Sequence, residues 1–287
     1  MENNQRAALY MIISALSFAF MQIAVKFTAA SIPVLELVFM RNLFLIFTSI
    51  ISIKKHKAPV VRDKKNIPLL FARGFFGMLG VVLYFIATKY LPSAEASILQ
   101  KSSPFFVAIF AALFLKDKMT KIDVASMVIA FIGVIFVTKP TGVDVNIYSL
   151  FALLSAIFAA AAYVCISALK GKESSETIMF SFGIVTVVCI LPFMLRDFVV
   201  PNLTEALGLI AIGIGGALGQ YFLTLSYMMA PAGRVSIYNY SSVVFAAILG
   251  YFAFGDTIDI YSAVGILIIF IAAYLPFREK NKVKSAS

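Results

Sequence analysis

Four basic side chains lie inside long apolar stretches of the sequence: Arg41, Arg73, Lys101 and Arg234. On insertion scales, a lysine or arginine at the centre of a membrane-spanning helix costs about 2.5–3.5 kcal/mol, so it normally faces a wet cavity or a partner. Arg41 and Lys101 sit several residues inside their stretches and meet this condition. Arg73 and Arg234 lie nearer to the ends, where snorkelling to the lipid headgroups accounts for them without a ligand.

The acidic residues near these cations are few. Only Glu36 and Glu95 accompany them, and both lie towards the ends of their stretches. We therefore expect an interior with positive charge and a substrate that carries a carboxylate or a phosphate. Lys101 and an arginine would bind this group, while Tyr, Gln and Asn side chains hold the polar body of the substrate.

Helical spacing places further residues beside the cations. Arg73, Gly77, Gly80 and Tyr84 share one helix face, because they follow at i, i+4, i+7 and i+11. The matching face of a later stretch carries Gly213, Gly216, Gln220 and Thr224. Such glycines are also typical of helix-packing notches, and tyrosines near helix ends are typical of interfacial anchors. The predicted substrate-binding residues are Lys101, Arg73, Arg41, Tyr84, Gln100, Gln22, Tyr163, Gln220, Tyr238 and Asn239.

The elements that must position these residues are membrane-spanning helices. Hydrophobic residues make up 61% of the 287 residues and charged residues only 13%, whereas a soluble domain is roughly half apolar and roughly a quarter charged. Because about 20 apolar residues span the hydrocarbon as a helix, we predict an all-α polytopic membrane protein. Its ten predicted transmembrane helices cover 7–27, 34–53, 68–88, 94–115, 123–138, 148–169, 176–195, 205–229, 233–254 and 259–277.

Two local features could suggest other structures. The first apolar stretch is too long for a signal peptide and lacks a small-residue cleavage site, so we interpret it as the first span. Cys165 and Cys189 both lie inside apolar stretches, which favours buried hydrophobic residues over a disulfide or a metal site.

The sequence also repeats itself. The segment 92–117 recurs in altered form as 231–256, at an offset of 139 residues. The glycines of the third stretch recur at the same offset in the eighth, as Gly213, Gly216 and Gly219. Each unit holds five helices, and since five is odd, the second unit enters the membrane from the opposite side, as in many secondary transporters. We predict two inverted five-helix repeats, residues 1–140 and residues 141–287, the second with a short basic tail.

The distribution of Lys and Arg predicts the orientation. Segments on one side of the membrane carry sixteen of these residues, and those on the other side only four: Lys26, Lys89, Lys139 and Arg196. Because basic residues collect in cytoplasmic loops, we expect a multi-pass plasma or inner membrane protein with both termini in the cytoplasm. The same rule accounts for the net charge of +10, so no nucleic-acid partner is expected.

Several motifs resemble the EamA-type members of the drug/metabolite transporter superfamily. They are Arg73-Gly-Phe-Phe-Gly with Tyr84-Phe-Ile-Ala after it, and Ala96-x-x-Leu99-x-x-x-x-Pro104-Phe105 before a short charged turn. The resemblance covers the whole chain and implies a ten-helix transporter with a central cavity between its halves. The chain departs from the family pattern at Lys116-Asp117, where Gly-Glu is usual, and at Val243, which replaces the mid-helix proline that the first half keeps at Pro104.

The resemblance implies transport but does not identify a substrate, since family members move amino acids, nucleotide-like metabolites, S-adenosylmethionine and drugs. The segment from Glu36 to Asn42, followed by Arg73-Gly, is similar to members linked to S-adenosylmethionine or other amino-acid-like metabolites. We therefore predict a secondary transporter of a small polar metabolite of this kind, with an anionic group, that works by alternating access between the two repeats. The alternative is a multidrug-type exporter of lipophilic cations, which would need a buried acid in its pocket.

An enzyme is disfavoured, because the sequence shows no Ser/His/Asp set, no His/Asp/Glu cluster and no nucleotide-binding loop. No cofactor and no metal are expected. The expected partners are a small-molecule metabolite and the lipid bilayer, with the chain as a monomer or a homodimer. Only Glu36 and Glu95 are placed to carry a coupled proton within the membrane, so exchange and facilitated diffusion stay open beside proton-driven transport.

Overall fold

A computed structural model describes residues 3–57, 59–91, 93–138, 146–255 and 259–285, without the side chains of 93–95 and 277–285. Throughout this part of the chain the regular elements are helices. The α-helices are α1 (Asn3–Thr28), α2 (Val34–His56), α3 (Ile67–Tyr90), α4 (Ser93–Gln100), α5 (Ser103–Phe110), α6 (Lys121–Thr138), α7 (Ile147–Ala168), α8 (Ser175–Met194), α9 (Leu203–Met229), α10 (Ala232–Ser236), α11 (Ser241–Phe254) and α12 (Ile260–Ser285).

These helices form membrane spans. Within the described residues, nine helical segments are long and apolar enough to cross a bilayer, and Ile260–Pro276 in α12 is a shorter apolar helix. The fourth span consists of α4, α5 and a π-helical turn at Ala111–Leu115, and the ninth consists of α10 and α11 with a short turn between them. The prediction of an all-α polytopic membrane protein is therefore confirmed, and the helices occupy the ten predicted stretches.

Side chains at the helix starts explain why several spans begin where they do. The Asn146 side chain accepts hydrogen bonds from two backbone N–H groups in the first turn of α7, and the Ser174 hydroxyl accepts one from Thr177 in α8. At the start of α9, Asn202 and Glu205 form a capping box. Such caps satisfy N–H groups that have no partner inside the helix.

The spans pack in pairs, and replacing each helix by its counterpart in the other half of the chain gives the same set of pairs. Helix α1 packs on α9, and its counterpart in the second half, α7, packs on α3. Helices α2 and α8 pack on each other, as do α6 and α12, and each of these pairs joins two counterparts. This arrangement is compatible with two inverted five-helix repeats.

The fourth and ninth spans are interrupted, although the sequence analysis treated each of them as one uninterrupted apolar run. The fourth span turns at Lys101 and Ser102 before α5 begins with Pro104 in its first turn. The ninth span passes through a 3₁₀-helical turn, Ile237–Tyr240, between α10 and α11. Pro104 lacks an N–H and so cannot donate a helical hydrogen bond to the carbonyl oxygen four residues earlier, at Gln100, where α4 ends, which explains the first interruption. The second half reaches a similar interruption without a proline.

The turn after the fourth span has an unusual backbone conformation. Lys116 has a φ of 57°, in the left-handed region that favours glycine, and its counterpart 139 residues later is Gly255, with a φ of 71°. The residue that departs from the family pattern therefore keeps the helix-ending conformation of a glycine. Asp117, beside it, accepts a hydrogen bond from the backbone N–H of Ala232 at 3.1 Å.

Two glycines set the distance between α6 and α12. A Cβ atom added to Gly265 would lie 2.6 Å from the carbonyl oxygen of Gly133, and one added to Gly133 would lie 2.8 Å from the carbonyl oxygen of Gly265. The obstacle in each case is backbone, which cannot move aside as a flexible side chain can. The two helices therefore approach closely only because both positions are glycine.

We expect Gly265→Ala to destabilise the protein by about 1–3 kcal/mol through overpacking, although alanine itself favours helix. In a thermal unfolding experiment in detergent, this corresponds to a fall in Tm on the order of 2–10 °C. Leu267→Ala is the control on the same helix, because the Leu267 side chain is 59% exposed. An unchanged Tm for Gly265→Ala would show that this contact does not determine the packing.

Candidate functional site

A cavity of about 880 Å³ lies at the centre of the molecule. All ten spans contribute lining residues, from Phe18 on α1 to Ser262 on α12. A central cavity of this size can enclose a small organic molecule. Nine of the ten residues predicted to bind substrate line it: Gln22, Arg41, Arg73, Tyr84, Gln100, Lys101, Tyr163, Gln220 and Asn239.

Among the described residues, the lining of the cavity extends towards one face of the helix bundle. We call the face that carries the end of α2 and the starts of α3, α6 and α8 the basic face, and the other the opposite face. The lining reaches the ends of helices at the opposite face, at Lys26, Ala30, Lys89 and Phe254. The cavity therefore opens away from the basic face.

Towards the basic face the helices are packed closed. A cluster of buried apolar residues fills the space between the helix ends there, and its members include Ala7, Met11, Leu70, Val107, Ala111, Leu169, Ile178, Tyr227, Ala232 and Val235. These residues come from both halves of the chain. We call this set the basic-face cluster, and it separates the cavity from the basic face.

Two arginines from different helices meet in the cavity. Arg41 on α2 is 4% exposed and Arg73 on α3 is 1% exposed. The ring of Phe182 lies between α2 and α3 and contacts both, with its centroid 5.8 Å from Cζ of Arg41 and 4.3 Å from Cζ of Arg73. On each arginine, Nε and Nη1 are buried and have no hydrogen-bond partner among the described residues. Buried charged donors without partners are costly, and an anionic ligand would satisfy them.

Two glycines make room for these arginines. A Cβ atom at Gly77 would collide with Nη1 of Arg73, and a Cβ atom at Gly216 would lie 2.7 Å from Cγ and 2.9 Å from Nε of Arg41. Gly77 and Gly216 are counterparts in the two halves, 139 residues apart. Their spacing in the sequence is typical of helix-packing notches. The structure adds that each notch receives an arginine side chain.

Lys101 lies in the interruption of the fourth span and is 7% exposed. Its Nζ donates a hydrogen bond to Oγ of Ser242 at 2.6 Å, and Ser242 in turn donates to the carbonyl oxygen of Asn239 at 2.7 Å. Asn239 and Ser242 belong to the corresponding region of the ninth span. The two interrupted spans therefore hold the ammonium group at the cavity wall.

Uncharged polar side chains complete the lining. The ring of Tyr163 stacks on that of Tyr227 with centroids 5.0 Å apart, and its hydroxyl lies within electrostatic reach of Arg41 and Arg73. Nε2 of Gln220 donates to Oγ1 of Thr224 at 3.2 Å. These groups can donate and accept hydrogen bonds, so they suit the polar body of a ligand.

The structure gives the positions of three further residues. Tyr238 belongs to the basic-face cluster and is not among the residues that line the cavity. Arg73 does not snorkel, because the side chain turns into the cavity against Phe182. Arg234 lies outside the cavity lining: its Nη2 forms a 3.1 Å ion pair with Oδ2 of Asp123, a partner that no sequence pattern indicates.

The charge of the lining is entirely positive in the described part of the chain. Five cationic residues line the cavity, Lys26, Arg41, Arg73, Lys89 and Lys101, and the described lining contains no acid. Oε2 of Glu36 accepts a hydrogen bond from the backbone N–H of Val199 at 3.2 Å. The side chain of Glu95 lies outside the described residues. Such a lining attracts anions and repels cations.

The described residues offer no metal site, since they contain no group of three His, Cys, Asp or Glu side chains close enough to hold an ion. Both cysteines are free, and Cys165 and Cys189 are partly buried.

Polar contacts join the two halves at the basic face. The carboxylate of Glu173, between α7 and α8, accepts hydrogen bonds from the backbone N–H groups of Arg62 and Asp63 at 2.9 and 3.2 Å and from Nδ2 of Asn66 at 2.8 Å. Burial alone would raise the pKa of Glu173, but these hydrogen bonds and the charge of Arg62 outweigh burial and lower the pKa.

A second acid, on α8, makes contacts of the same kind. Oε1 of Glu176 lies 3.2 Å from Nδ1 of His56, at the end of α2, and accepts a hydrogen bond from Ser52 at 3.3 Å. Glu173 and Glu176 thus tie the second half to the first on the side where the apolar cluster closes the cavity.

Comparisons with known proteins identify the fold and its relatives. A sequence model of the EamA-like transporter family matches the chain twice, over residues 5–139 and 146–278. The pseudopaline exporter of Pseudomonas aeruginosa is 34% identical over 272 residues, which cover 94% of this chain and 95% of the exporter. An S-adenosylmethionine uptake transporter of Rickettsia bellii is 27% identical over 213 residues, or 74% of this chain and 73% of that protein. One solved structure has the same fold, with a TM-score of 0.84 at 18% identity over 98% of this chain and 99% of the other.

The lowered pKa of Glu173 predicts a pH-dependent stability. Because the folded-state pKa lies below the ordinary value of 4.5, the ionised carboxylate stabilises the protein fully above that value, and this stabilisation is lost as the pH falls through the folded-state pKa. We expect Glu173→Gln to lower Tm at neutral pH and the difference from the wild type to shrink below pH 4.5. The control is Asp197→Asn, at an exposed acid after α8. A difference that does not change with pH would contradict this role.

Proposed function

The chain belongs to the EamA-like transporter family, and we propose that its substrate is a small polar metabolite with an anionic group. The protein is a multi-pass membrane transporter and not an enzyme. The observation that carries the proposal is the pair of arginines, Arg41 and Arg73, which project buried, unpartnered N–H groups at the central cavity.

The charge and shape of the cavity support an anionic substrate. The described lining supplies five cations and no acid, so a negatively charged group gains attraction along the whole path from the opposite face. Guanidinium groups bind carboxylates and phosphates through paired hydrogen bonds. Tyr84, Tyr163 and Gln220 then contact the remainder of the molecule, and Gln22, Gln100 and Asn239 extend this polar surface.

The names of the relatives support a small metabolite as the substrate. One is named as an exporter of pseudopaline and another as an uptake transporter of S-adenosylmethionine. The identity is higher, and the matched share of the chain larger, for the exporter. We therefore infer export, and we keep the sequence-based prediction of an amino-acid-like metabolite. A lipophilic-cation exporter is disfavoured, because the five lining cations would repel such a substrate.

We propose that the substrate crosses by alternating access between the two repeats. In the state described here, the cavity opens at the opposite face while the basic-face cluster and the contacts of Glu173 close the other end. In an inverted repeat the two halves can exchange conformations. This exchange would give a second state in which the opposite face closes and the basic face opens. With the basic face and both termini in the cytoplasm of an inner-membrane protein, the described state is open to the outside.

The test is transport by the purified protein in liposomes, with pseudopaline, S-adenosylmethionine and the lipophilic cation tetraphenylphosphonium as separate probes. We expect transport of at least one of the first two and none of the third. Arg41→Gln and Arg73→Gln should each reduce transport about tenfold or more, since a charge-assisted hydrogen bond is removed. Arg196→Gln is the matched control, because Arg196 is exposed after the end of α8. Transport of the lipophilic cation that persists in the arginine variants would contradict the proposal.

The glycine notches give a second test with internal controls. Gly77→Ala and Gly216→Ala should displace Arg73 and Arg41, respectively, and so reduce transport while the protein stays folded. Gly74→Ala and Gly213→Ala are the controls, since they lie one turn away on the same two helices and press on Val185 and Phe44, not on an arginine. The same liposome assay and a Tm measurement compare the four variants. Equal losses in all four would indicate that the glycines matter for helix packing alone.

A further inference from the structure

The cations of the cavity form two separate groups. Arg41 and Arg73 project from α2 and α3, and both guanidinium groups lie against the ring of Phe182 on α8. Lys101 lies in the interruption of the fourth span, where its ammonium group is held by Ser242 on α11. Packing against Phe182 fixes the first group and a hydrogen bond fixes the second, so the two are anchored on different sets of helices.

Neither group is neutralised by the protein within the described residues. The arginines form no ion pair there, and Nε and Nη1 of each have no partner. The ammonium group of Lys101 has three donors, and the hydrogen bond to Ser242 uses one of them with a neutral acceptor. A buried cation without a counter-charge is costly at both places.

Elsewhere the same fold pairs a partly buried cation with a buried acid. Arg234, at the start of the ninth span, has its guanidinium group 3.1 Å from the carboxylate of Asp123, whose side chain is 2% exposed. The protein therefore supplies an acid where a cation has a structural role at the basic face. Within the described lining, no acid accompanies Arg41, Arg73 and Lys101, which indicates that their counter-charges come from a ligand.

The two groups share no contact residue among those described, because Phe182 packs on the arginines whereas Ser242 binds Lys101. Two neighbouring guanidinium groups can bind a single carboxylate through several N–H donors, which would leave Lys101 without a counter-charge on another wall of the cavity. We propose that the substrate carries two anionic groups at separated positions, one bound by Arg41 and Arg73 and the other by Lys101. This inference rests on the proposed function, and it replaces the sequence-based expectation that Lys101 and an arginine share one group.

Other features of the wall agree with this division. Tyr163 lies within electrostatic reach of both arginines and can donate a hydrogen bond to the first anionic group. Ser97, Gln100 and Asn239 line the cavity near Lys101 along the fourth and ninth spans and can bind polar atoms next to the second. The class of substrate is therefore a dicarboxylate or another dianion with a polar body between its charged ends.

The test uses linear dicarboxylates, from succinate to suberate, each paired with its half-amide, in which one carboxylate is replaced by a neutral group of the same shape. Binding to the purified full-length protein is measured by titration calorimetry. We expect at least one dicarboxylate to bind about tenfold or more tightly than its half-amide, because the second charge-assisted contact is lost. In Lys101→Gln this advantage should disappear, while the half-amide binds as it does to the wild type.

The outcomes separate this inference from the proposed function. Equal binding of each dicarboxylate and its half-amide to the wild type would overturn the two-group inference and leave anion transport intact, and this comparison needs no variant to fold. An equal loss for both compounds in Lys101→Gln would also overturn it, since it would place Lys101 and the arginines at one group. If no carboxylate of the series binds, the anionic substrate of the proposed function fails as well.

Discussion

The constraint on which the rest of this structure depends is positive charge buried in a membrane-spanning bundle without a counter-charge. Arg41 and Arg73 are almost fully buried, and two donor atoms on each have no partner among the described residues. In an apolar environment such groups are tolerated only at a wet cavity or beside a binding partner. The central cavity, the ring of Phe182 and the polar side chains around it are all arranged about these two guanidinium groups.

The internal repeat explains how the fold makes room for this charge. Counterpart glycines, Gly77 and Gly216, each accommodate one arginine, although the arginines themselves are not counterparts. The interruptions of the fourth and ninth spans are counterparts too, and they bring Lys101 and Ser242 together. A symmetric scaffold thus carries an asymmetric set of charges, which lets one family fold serve different substrates.

The two ends of the cavity are held by different kinds of interaction. At the basic face, apolar side chains pack together and Glu173 and Glu176 bind groups of the first half, so closure there combines burial with charged hydrogen bonds. At the opposite face, lining residues such as Lys26 and Phe254 contact each other by a cation–π interaction at 3.7 Å while the cavity stays open. Our alternating-access proposal requires that the contacts at the basic face can break and that others form at the opposite face.

The amino-acid sequence alone is enough to predict the spans, the duplication and the cations inside the membrane, because hydropathy, spacing and repeat offset are local properties of the chain. It also predicts nine of the residues that line the cavity, since helical periodicity shows which residues share one face of a helix. Which cations are paired depends instead on contacts between residues that are far apart in the sequence. Arg234 meets Asp123, 111 residues away, whereas Arg73 meets an aromatic ring. The place of Tyr238 in the core and the direction in which the cavity opens were likewise decided by packing between distant helices, which no local pattern encodes.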